Sequence, residues 1–209
     1  MTDLSADSSA RFPNPTLETI YKRRSIRLFE ERPVADEDIR LILDAANQAP
    51  SAHNQQSWKF VVIRGERKTE LASLVSRKAA DFSKPSKSIL RMAGRSIASA
   101  PVVIAAMNTG TLIDHGIELF QIDFEVSSDF FRTMEIQSSA AAVENLLLAA
   151  TSLGLGSVWL GILFLIKREI LEFLGESRGE FMAVIPVGYP AREGLSPKKR
   201  ALDYVVKYL

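Results

Sequence analysis

The chain of 209 residues contains no cysteine and only two histidines, His53 and His115. The absence of cysteine excludes disulfide bonds, thiolate zinc sites, cysteine nucleophiles and CxxC redox motifs. Two histidines leave little basis for a histidine-rich metal centre or a Ser-His-Asp relay. We therefore expect no bound metal and no side-chain nucleophile.

The chain also lacks an excess of either charge and any long apolar run. Its 26 Lys and Arg residues are matched by 25 Asp and Glu residues, so no overall positive field favours nucleic acid or an anionic membrane. The apolar stretch Pro101 to Met107 is far too short to span a bilayer, and Met1 to Asn14 has no apolar core typical of a signal peptide. The sequence predicts a cytoplasmic protein that binds neither nucleic acid nor membranes.

The hydrophobic content of 46% is sufficient for one sizeable core. We predict a flexible arm over residues 1–15 and a single domain over residues 16–209, without repeats or linkers. Residues 84–99 are expected to be a flexible segment or a short helix, and residues 108–132 show no secure period. The periodicity predicts helices from Thr16, over Asp36 to Ala49, Glu66 to Phe82, Met134 to Leu153 and Lys167 to Leu174, and strands over Trp58 to Ile63, Pro101 to Met107 and Phe181 to Tyr189. This order indicates an α+β fold, a sheet covered by helices.

Two short segments are rich in basic side chains. In Arg23-Arg24-Ser25-Ile26-Arg27, three guanidinium groups and a hydroxyl could hold a phosphate or carboxylate through charge-assisted bonds. Taken alone, this segment is more typical of a solvated basic turn at a helix C-terminus. Lys198-Lys199-Arg200, by itself, is likewise typical of a solvated tail.

A third segment is polar but uncharged. Ala49-Pro50-Ser51-Ala52-His53-Asn54-Gln55-Gln56-Ser57-Trp58 is dense in amide and hydroxyl groups, which suits a neutral hydrogen-bonding heterocycle or a polyol. Alternatively, these residues make local turns and Trp58 lies in the core. The glycines of Gly154 to Gly161 do not form a dinucleotide fingerprint, because they follow a helix and the third glycine is misplaced.

In chain order, these segments resemble the FMN-dependent nitroreductase family. Arg23 to Arg27, followed by Phe29 and Pro33, is similar to the family's opening phosphate motif, and Ala49 to Trp58 is similar to its second signature. Glu144 to Ser157 resembles its central helix and following loop. Val187-Gly188-Tyr189-Pro190 with Lys198 and Arg200 resembles its tail. The resemblance implies a nitroreductase-like fold with a mixed or antiparallel central sheet, in an intertwined homodimer that binds FMN at the subunit interface.

The resemblance also implies a role for each motif residue. Phosphate and ribityl contacts fall to Arg23, Arg24 and Ser25, with Lys198 and Arg200 closing on the phosphate and Arg27 lying beside the flavin N1 and C2 carbonyl. The other subunit covers the flavin's edge and one face with Pro50, Ser51, Ala52 and Asn54. A backbone N–H near Leu160 or Gly161 contacts the flavin N5.

The implied activity is a ping-pong hydride transfer. NAD(P)H reduces FMN, and a small acceptor such as a nitroaromatic or quinone is then reduced, with no catalytic side chain. Phe120, Phe124 and Phe131 line the acceptor pocket or belong to the core, and we expect at least two of them to be core. The alternatives are a reductive dehalogenase with a lid over residues 84–95, a flavin destructase, a non-catalytic flavin-binding module, and a non-flavin anion-binding protein.

Overall fold

The fold was analysed in a computed structural model that describes residues 13–120, 123–176, 178–194 and 196–209. The arm predicted over residues 1–15 lies outside the described residues, apart from 13–15. The α-helices are α1 (Pro15–Lys22), α2 (Asp36–Asn47), α3 (Gly65–Lys78), α4 (Ser86–Ser99), α5 (Thr111–Phe120), α6 (Phe124–Ser152) and α7 (Lys167–Leu174). The strands are β1 (Trp58–Ile63), β2 (Val102–Asn108), β3 (Gly156–Ser157) and β4 (Glu180–Gly188). Short 3-10 turns occupy Ala52–Asn54, Ala79–Asp81, Gly161–Ile166 and Leu202–Tyr204.

The four strands form one sheet in the order β1-β2-β4-β3, and every neighbouring pair is antiparallel. Trp58 pairs with Asn108, and Asn108 pairs with Glu180, so these three residues mark one end of the sheet. Gly156 pairs with Gly188 at the other end. The chain before α2 adds one isolated parallel bridge, from Ser25 to Ser157 of β3. The predicted α+β fold with a mixed or antiparallel sheet is confirmed.

Two hydrophobic cores cover the two faces of the sheet. Because side chains alternate along a strand, β2 sends Val103 and Ala105 into one core and Ile104 and Ala106 into the other. The first core contains α3, α4, α7 and the turn Gly161–Ile166, whereas the second contains α2 and α6. Both faces of the central strands are therefore closed.

Of the two alternatives for residues 84–99, a flexible segment or a short helix, the structure shows a helix, and it is longer than expected. This segment contains α4, a helix of 14 residues that buries Leu90, Ala93 and Ile97 on one face. The spacing i, i+3, i+7 is helical, but the basic and Ser-rich composition masked it.

The central helix is longer than predicted. α6 has 29 residues and begins at Phe124 rather than Met134, with the Asp123 side chain accepting a hydrogen bond from the Glu125 N–H at 2.9 Å. Val126 and Phe130 in its first turns are exposed, so the apolar pattern there does not follow a buried stripe. Most of the segment 108–132 that lacked a period is therefore helical, in α5 and the start of α6.

No helix in the described part of the chain is both long and apolar enough to cross a membrane. Among the same residues, no group of three or more His, Asp or Glu side chains is arranged to hold a metal ion.

Candidate functional site

The basic segment, Arg23 to Arg27, begins directly after α1 and has an extended backbone. The N–H of Ile26 donates to the Ser157 carbonyl at 2.9 Å, and the Ile26 side chain is buried in the first core. Because neighbouring side chains alternate in an extended chain, Ser25 and Arg27 both lie on the exposed side. The structure therefore presents a hydroxyl and a guanidinium group on the same side of this strand.

Arg24 differs from its neighbours, because the protein itself uses its guanidinium group. It donates to the carbonyls of Tyr21 and Arg23 at 2.6 and 2.8 Å, and to the Ser196 hydroxyl at 2.9 Å. A cation at this position stabilises the C-terminal end of α1. Arg24 thus holds the C-terminal tail against the basic segment.

The tail brings the second group of cations near the first. Gly194 packs so closely that a Cβ there would lie 2.5 Å from the Cβ of Arg24. Lys198 and Arg200 follow Ser196 by two and four residues, a reach of at most about 14 Å in an extended chain, and both are exposed. Neither has an ion-pair partner in the described part of the chain, whereas Arg23 has the Glu144 carboxylate 3.7 Å from its Nε.

The uncharged segment forms a loop, residues 50–57, with an unusual backbone. His53, Asn54 and Gln56 have φ angles of 53°, 53° and 47°, although none of them is glycine. The left-handed region costs a non-glycine residue about 1–3 kcal/mol, and such strain is concentrated at functional sites. The loop therefore needs support from its surroundings.

Internal hydrogen bonds shape this loop. The Ser51 hydroxyl accepts from the Gln56 N–H at 3.0 Å, and the Gln56 side-chain amide donates to the Asn54 side-chain oxygen at 3.1 Å. Outside the loop, the Ala52 N–H donates to the Ser138 hydroxyl on α6 at 3.1 Å. The Asn54 side chain and Pro50 are exposed.

Helix α5 lies beside the loop. The His53 ring meets the rings of His115 and Phe120 edge-on, with centroids 6.5 and 5.8 Å apart. Phe120 is 48% exposed, whereas Phe131 is buried against it, which favours the core alternative for Phe131. The side chain of Phe124 lies outside the described residues.

The resemblance implies a backbone N–H donor to the flavin near Leu160 or Gly161, and the two N–H groups differ in the structure. The Leu160 N–H donates to the Val184 carbonyl at 3.0 Å and so extends the sheet. Gly161 begins the turn Gly161–Ile166, where an N–H has no acceptor within its own turn. The described structure gives the Gly161 N–H no hydrogen-bond partner.

Sequence reasoning missed one buried carboxyl group, that of Glu135 on α6, which is 1% exposed. Its two oxygens accept the N–H groups of Leu112 and Gly110 at 2.9 and 3.3 Å, so it caps the N-terminus of α5. Burial raises the pKa of Glu135, and the two backbone N–H donors oppose this shift. Its partners lie more than 20 residues away, so no local motif identifies it.

Among the described residues, no hydrogen bond or ion pair joins the basic segment to the loop. The loop joins the sheet at Trp58, whereas the basic segment bridges to Ser157 at the opposite end of the sheet. Judged from the length of β4, these two ends are about 25 Å apart along the strand direction. Arg23 approaches Glu144 on α6, and Ala52 contacts Ser138, six residues earlier on the same helix. At 3.6 residues per turn, those two side chains point about 120° apart.

Comparison with known proteins identifies the family. The model of the nitroreductase family matches residues 20–189, which include the basic segment, the loop and the whole sheet. The chain belongs to the nitroreductase family. It is therefore an oxidoreductase, as the resemblance implied.

Individual relatives agree with the family match. A protein of Archaeoglobus fulgidus, provisionally named an NADH dehydrogenase/NAD(P)H nitroreductase, is 36% identical over 182 residues, covering 85% of this chain and 86% of its own. A provisionally named nitroreductase from Desulfovibrio desulfuricans, solved in complex with FMN, has 31% identity, a TM-score of 0.71 and coverage of 95% and 99%. A BluB-like flavoprotein from Clostridium difficile 630 has 28% identity, a TM-score of 0.72 and coverage of 94% and 99%.

Proposed function

We propose that this nitroreductase-family protein is a homodimeric FMN oxidoreductase, which uses NAD(P)H to reduce a small acceptor such as a nitroaromatic or quinone. The separation of the basic segment from the loop carries the proposal. Each is suited to a different part of one flavin nucleotide, yet one chain holds them at opposite ends of the sheet. A second copy would supply the loop that the first cannot bring.

The basic segment and the tail suit the phosphate of FMN. Arg23, Arg27, Lys198 and Arg200 carry four positive charges, with the Ser25 hydroxyl among them. Charge-assisted bonds to a phosphate are stronger than neutral ones, and arginine can make them in pairs. In this proposal Arg24 acts mainly by holding the tail, because its guanidinium group already makes three hydrogen bonds.

The loop and the turn at Gly161 suit the flavin ring. Pro50, Ser51, Ala52 and Asn54 offer apolar edges and neutral polar groups without a competing charge. The unused N–H of Gly161 would donate to the flavin N5, and the Arg27 cation would favour negative charge near N1. When bound, FMN accepts a hydride from NAD(P)H and passes two electrons to the acceptor.

Exposed apolar side chains support a second copy. Ile20 and Tyr21 on α1 are 45% and 56% exposed, and Tyr204 and Tyr208 in the tail are 84% and 89% exposed. Contiguous exposed apolar surface is typical of protein–protein interaction sites. The proposed dimer would cover them.

The test is a visible absorption spectrum of the purified protein, followed by anaerobic addition of NADPH and of NADH. We expect a yellow protein that bleaches with at least one of them and regains its colour when a quinone is added. Sedimentation should give twice the chain mass of 23.1 kDa. A colourless protein that does not bind added FMN would overturn the proposal.

A second candidate is a flavoprotein that does not turn over NAD(P)H, such as a flavin destructase. Its support is the similarity to the BluB-like flavoprotein, of which this chain covers 99%. In that case the yellow protein would stay oxidised with both nicotinamide nucleotides. The dehalogenase alternative places a lid over residues 84–95, and residues 86–99 form α4, whose buried face packs against α3 and the first core.

A further inference from the structure

The loop 50–57 has a strained backbone, and a single hydrogen bond holds it to α6 within the described part of the chain. That bond runs from the Ala52 N–H to the Ser138 hydroxyl at 3.1 Å. Where the loop enters β1, the Gln56 carbonyl accepts the Trp58 N–H at 2.8 Å and the Ser57 carbonyl accepts the Thr109 N–H at 3.1 Å. The other hydrogen bonds of residues 50–56 are internal, for instance from the Gln56 N–H to the Ser51 hydroxyl. Internal bonds set the shape of the loop but do not fix its position against α6.

Ser138 is well placed to hold the loop. It is 6% exposed and lies in the middle of the 29-residue α6, the longest helix that the structure describes. Its hydroxyl donates to the Met134 carbonyl one turn earlier at 2.7 Å, which fixes the rotamer and leaves a lone pair for the Ala52 N–H. The Ser138 hydroxyl therefore acts both as a donor, to Met134, and as an acceptor, from Ala52.

The position of the donor in the loop is equally specific. Ala52 begins the 3-10 turn Ala52–Asn54, where the first N–H has no acceptor within the turn. Directly after it come His53 and Asn54, both with a φ of 53°. The bond to Ser138 thus fixes the chain immediately before the strained residues, at the point where slippage would release the strain.

We propose that Ser138 is a positioning residue, which holds the loop 50–57 in its strained conformation and thereby orients Ala52 and Asn54 for the ligand. Its effect on the loop follows from the contacts above. Its effect on FMN rests on the proposed function, in which the loop covers the flavin ring.

The neighbouring residue provides a matched control. Ser139 is also buried, and its hydroxyl donates to the Asn108 side chain at the end of β2 rather than to the loop. Ser138→Ala and Ser139→Ala each remove one buried hydroxyl from adjacent positions of α6. Only Ser138→Ala removes the hydrogen bond to the Ala52 N–H, whereas a general loss of core packing would affect both variants.

The experiment measures amide hydrogen exchange and FMN binding in the full chain. Exchange is followed by mass spectrometry in flavin-free protein, in peptides covering 46–57, and FMN affinity is obtained by fluorescence titration. For Ser138→Ala we expect exchange in the loop to rise by about three- to tenfold and FMN affinity to fall by a similar factor, the value of one hydrogen bond. For Ser139→Ala we expect neither change once exchange is corrected for global stability, and Ser138→Thr, which keeps the hydroxyl, should restore part of the protection.

Three results would be decisive against or for the inference. Loop exchange in Ser138→Ala equal to that of the unmodified protein or of Ser139→Ala would overturn it. A faster loop with unchanged FMN affinity, in a protein that binds FMN, would overturn the role in ligand binding. If the unmodified protein does not bind FMN but the loop still opens in Ser138→Ala, the positioning role is supported and the proposed function alone has failed.

Discussion

The basic segment with its tail and the neutral loop are built in opposite ways. Arg27, Lys198 and Arg200 are long exposed side chains outside the helices and strands, and they can adjust to a ligand. The loop instead has a fixed backbone with three strained residues and one hydrogen bond to α6. Recognition by the first depends on charge, whereas recognition by the second depends on shape.

A further contrast lies within the basic segment itself. Arg24 makes three hydrogen bonds to the protein, while Arg27 makes one long bond of 3.4 Å to the Ser25 carbonyl. The alternative interpretation of the motif, as a basic turn at a helix C-terminus, therefore describes Arg24 well. Two arginines of one motif can thus have different roles.

The largest expected effect comes from removing positive charge from the basic segment and the tail. In Arg23→Ala/Arg200→Ala, FMN affinity should fall by about 10²- to 10⁴-fold, because each bond to a charged group contributes about 1.5–3 kcal/mol. The measurement is the FMN content after gel filtration, with the dissociation constant obtained by titration. Arg91→Ala/Arg95→Ala on α4 is the control, since it removes equal charge from exposed residues outside the basic segment and the tail. Stoichiometric FMN in the first variant would contradict the phosphate assignment.

The second effect concerns Glu135, which caps α5, the helix that lies beside the loop 50–57. Glu135→Ala leaves the N–H groups of Gly110 and Leu112 without their acceptor, so the free energy of unfolding should fall by about 1–3 kcal/mol in urea titrations. Glu118→Ala, which removes an exposed carboxylate of α5, should change it by less than about 0.5 kcal/mol.

The same residue predicts a pH dependence. Burial holds the pKa of Glu135 above its usual range, so the folded chain binds this proton more tightly than the unfolded chain. The resulting stability is fully present below the usual Glu range and is lost as pH rises through the raised pKa. The difference in unfolding free energy between the unmodified protein and Glu135→Ala should therefore shrink with rising pH; a difference that grows would contradict the assignment.

The third effect is smaller and separates shape from side-chain contact. Asn54→Ala should weaken FMN binding by about two- to tenfold, since it removes neutral hydrogen bonds. Asn54→Gly removes the same side chain but suits a φ of 53°, so it should be more stable than Asn54→Ala by about 1 kcal/mol. If Asn54→Ala released FMN more completely than the double arginine variant, our division between charge and shape would be wrong.

The smallest effect is the response to salt. Screening shortens the reach of exposed charges from about 30 Å at 0.01 M to about 8 Å at 0.15 M ionic strength. FMN affinity should therefore fall a few-fold over this range in the unmodified protein and equally in Asn54→Ala. The slope should flatten in Arg23→Ala/Arg200→Ala. If FMN affinity depended equally on ionic strength in all three proteins, Arg23 and Arg200 would not contact the phosphate.

Elements with a clean local pattern were predictable from the sequence. β1 spans Trp58–Ile63 and α7 spans Lys167–Leu174 with the predicted bounds. α2 follows its buried stripe of Ile39, Ile42 and Ala46. In these elements, periodicity and the residues at the ends are local properties, and the tertiary contacts reinforce them. The family was likewise identifiable from four motifs in order.

Elements whose pattern depends on distant partners were not predictable. The Leu160 N–H donates to the Val184 carbonyl of β4. Glu135 and Ser138 owe their importance to partners in other elements, Leu112 and Ala52. No spacing along the chain reports such contacts.

The sequence by itself determined which chemical groups this protein can offer: arginine and lysine for an anion, amides and hydroxyls for a neutral ring, and no thiol. These follow from residue type, which does not depend on the fold. Only the tertiary structure decided which of them stay free, by engaging Arg24 with the tail and leaving Arg27 exposed. It also placed the two halves at opposite ends of the sheet, because strand pairing and helix packing join residues far apart in the chain.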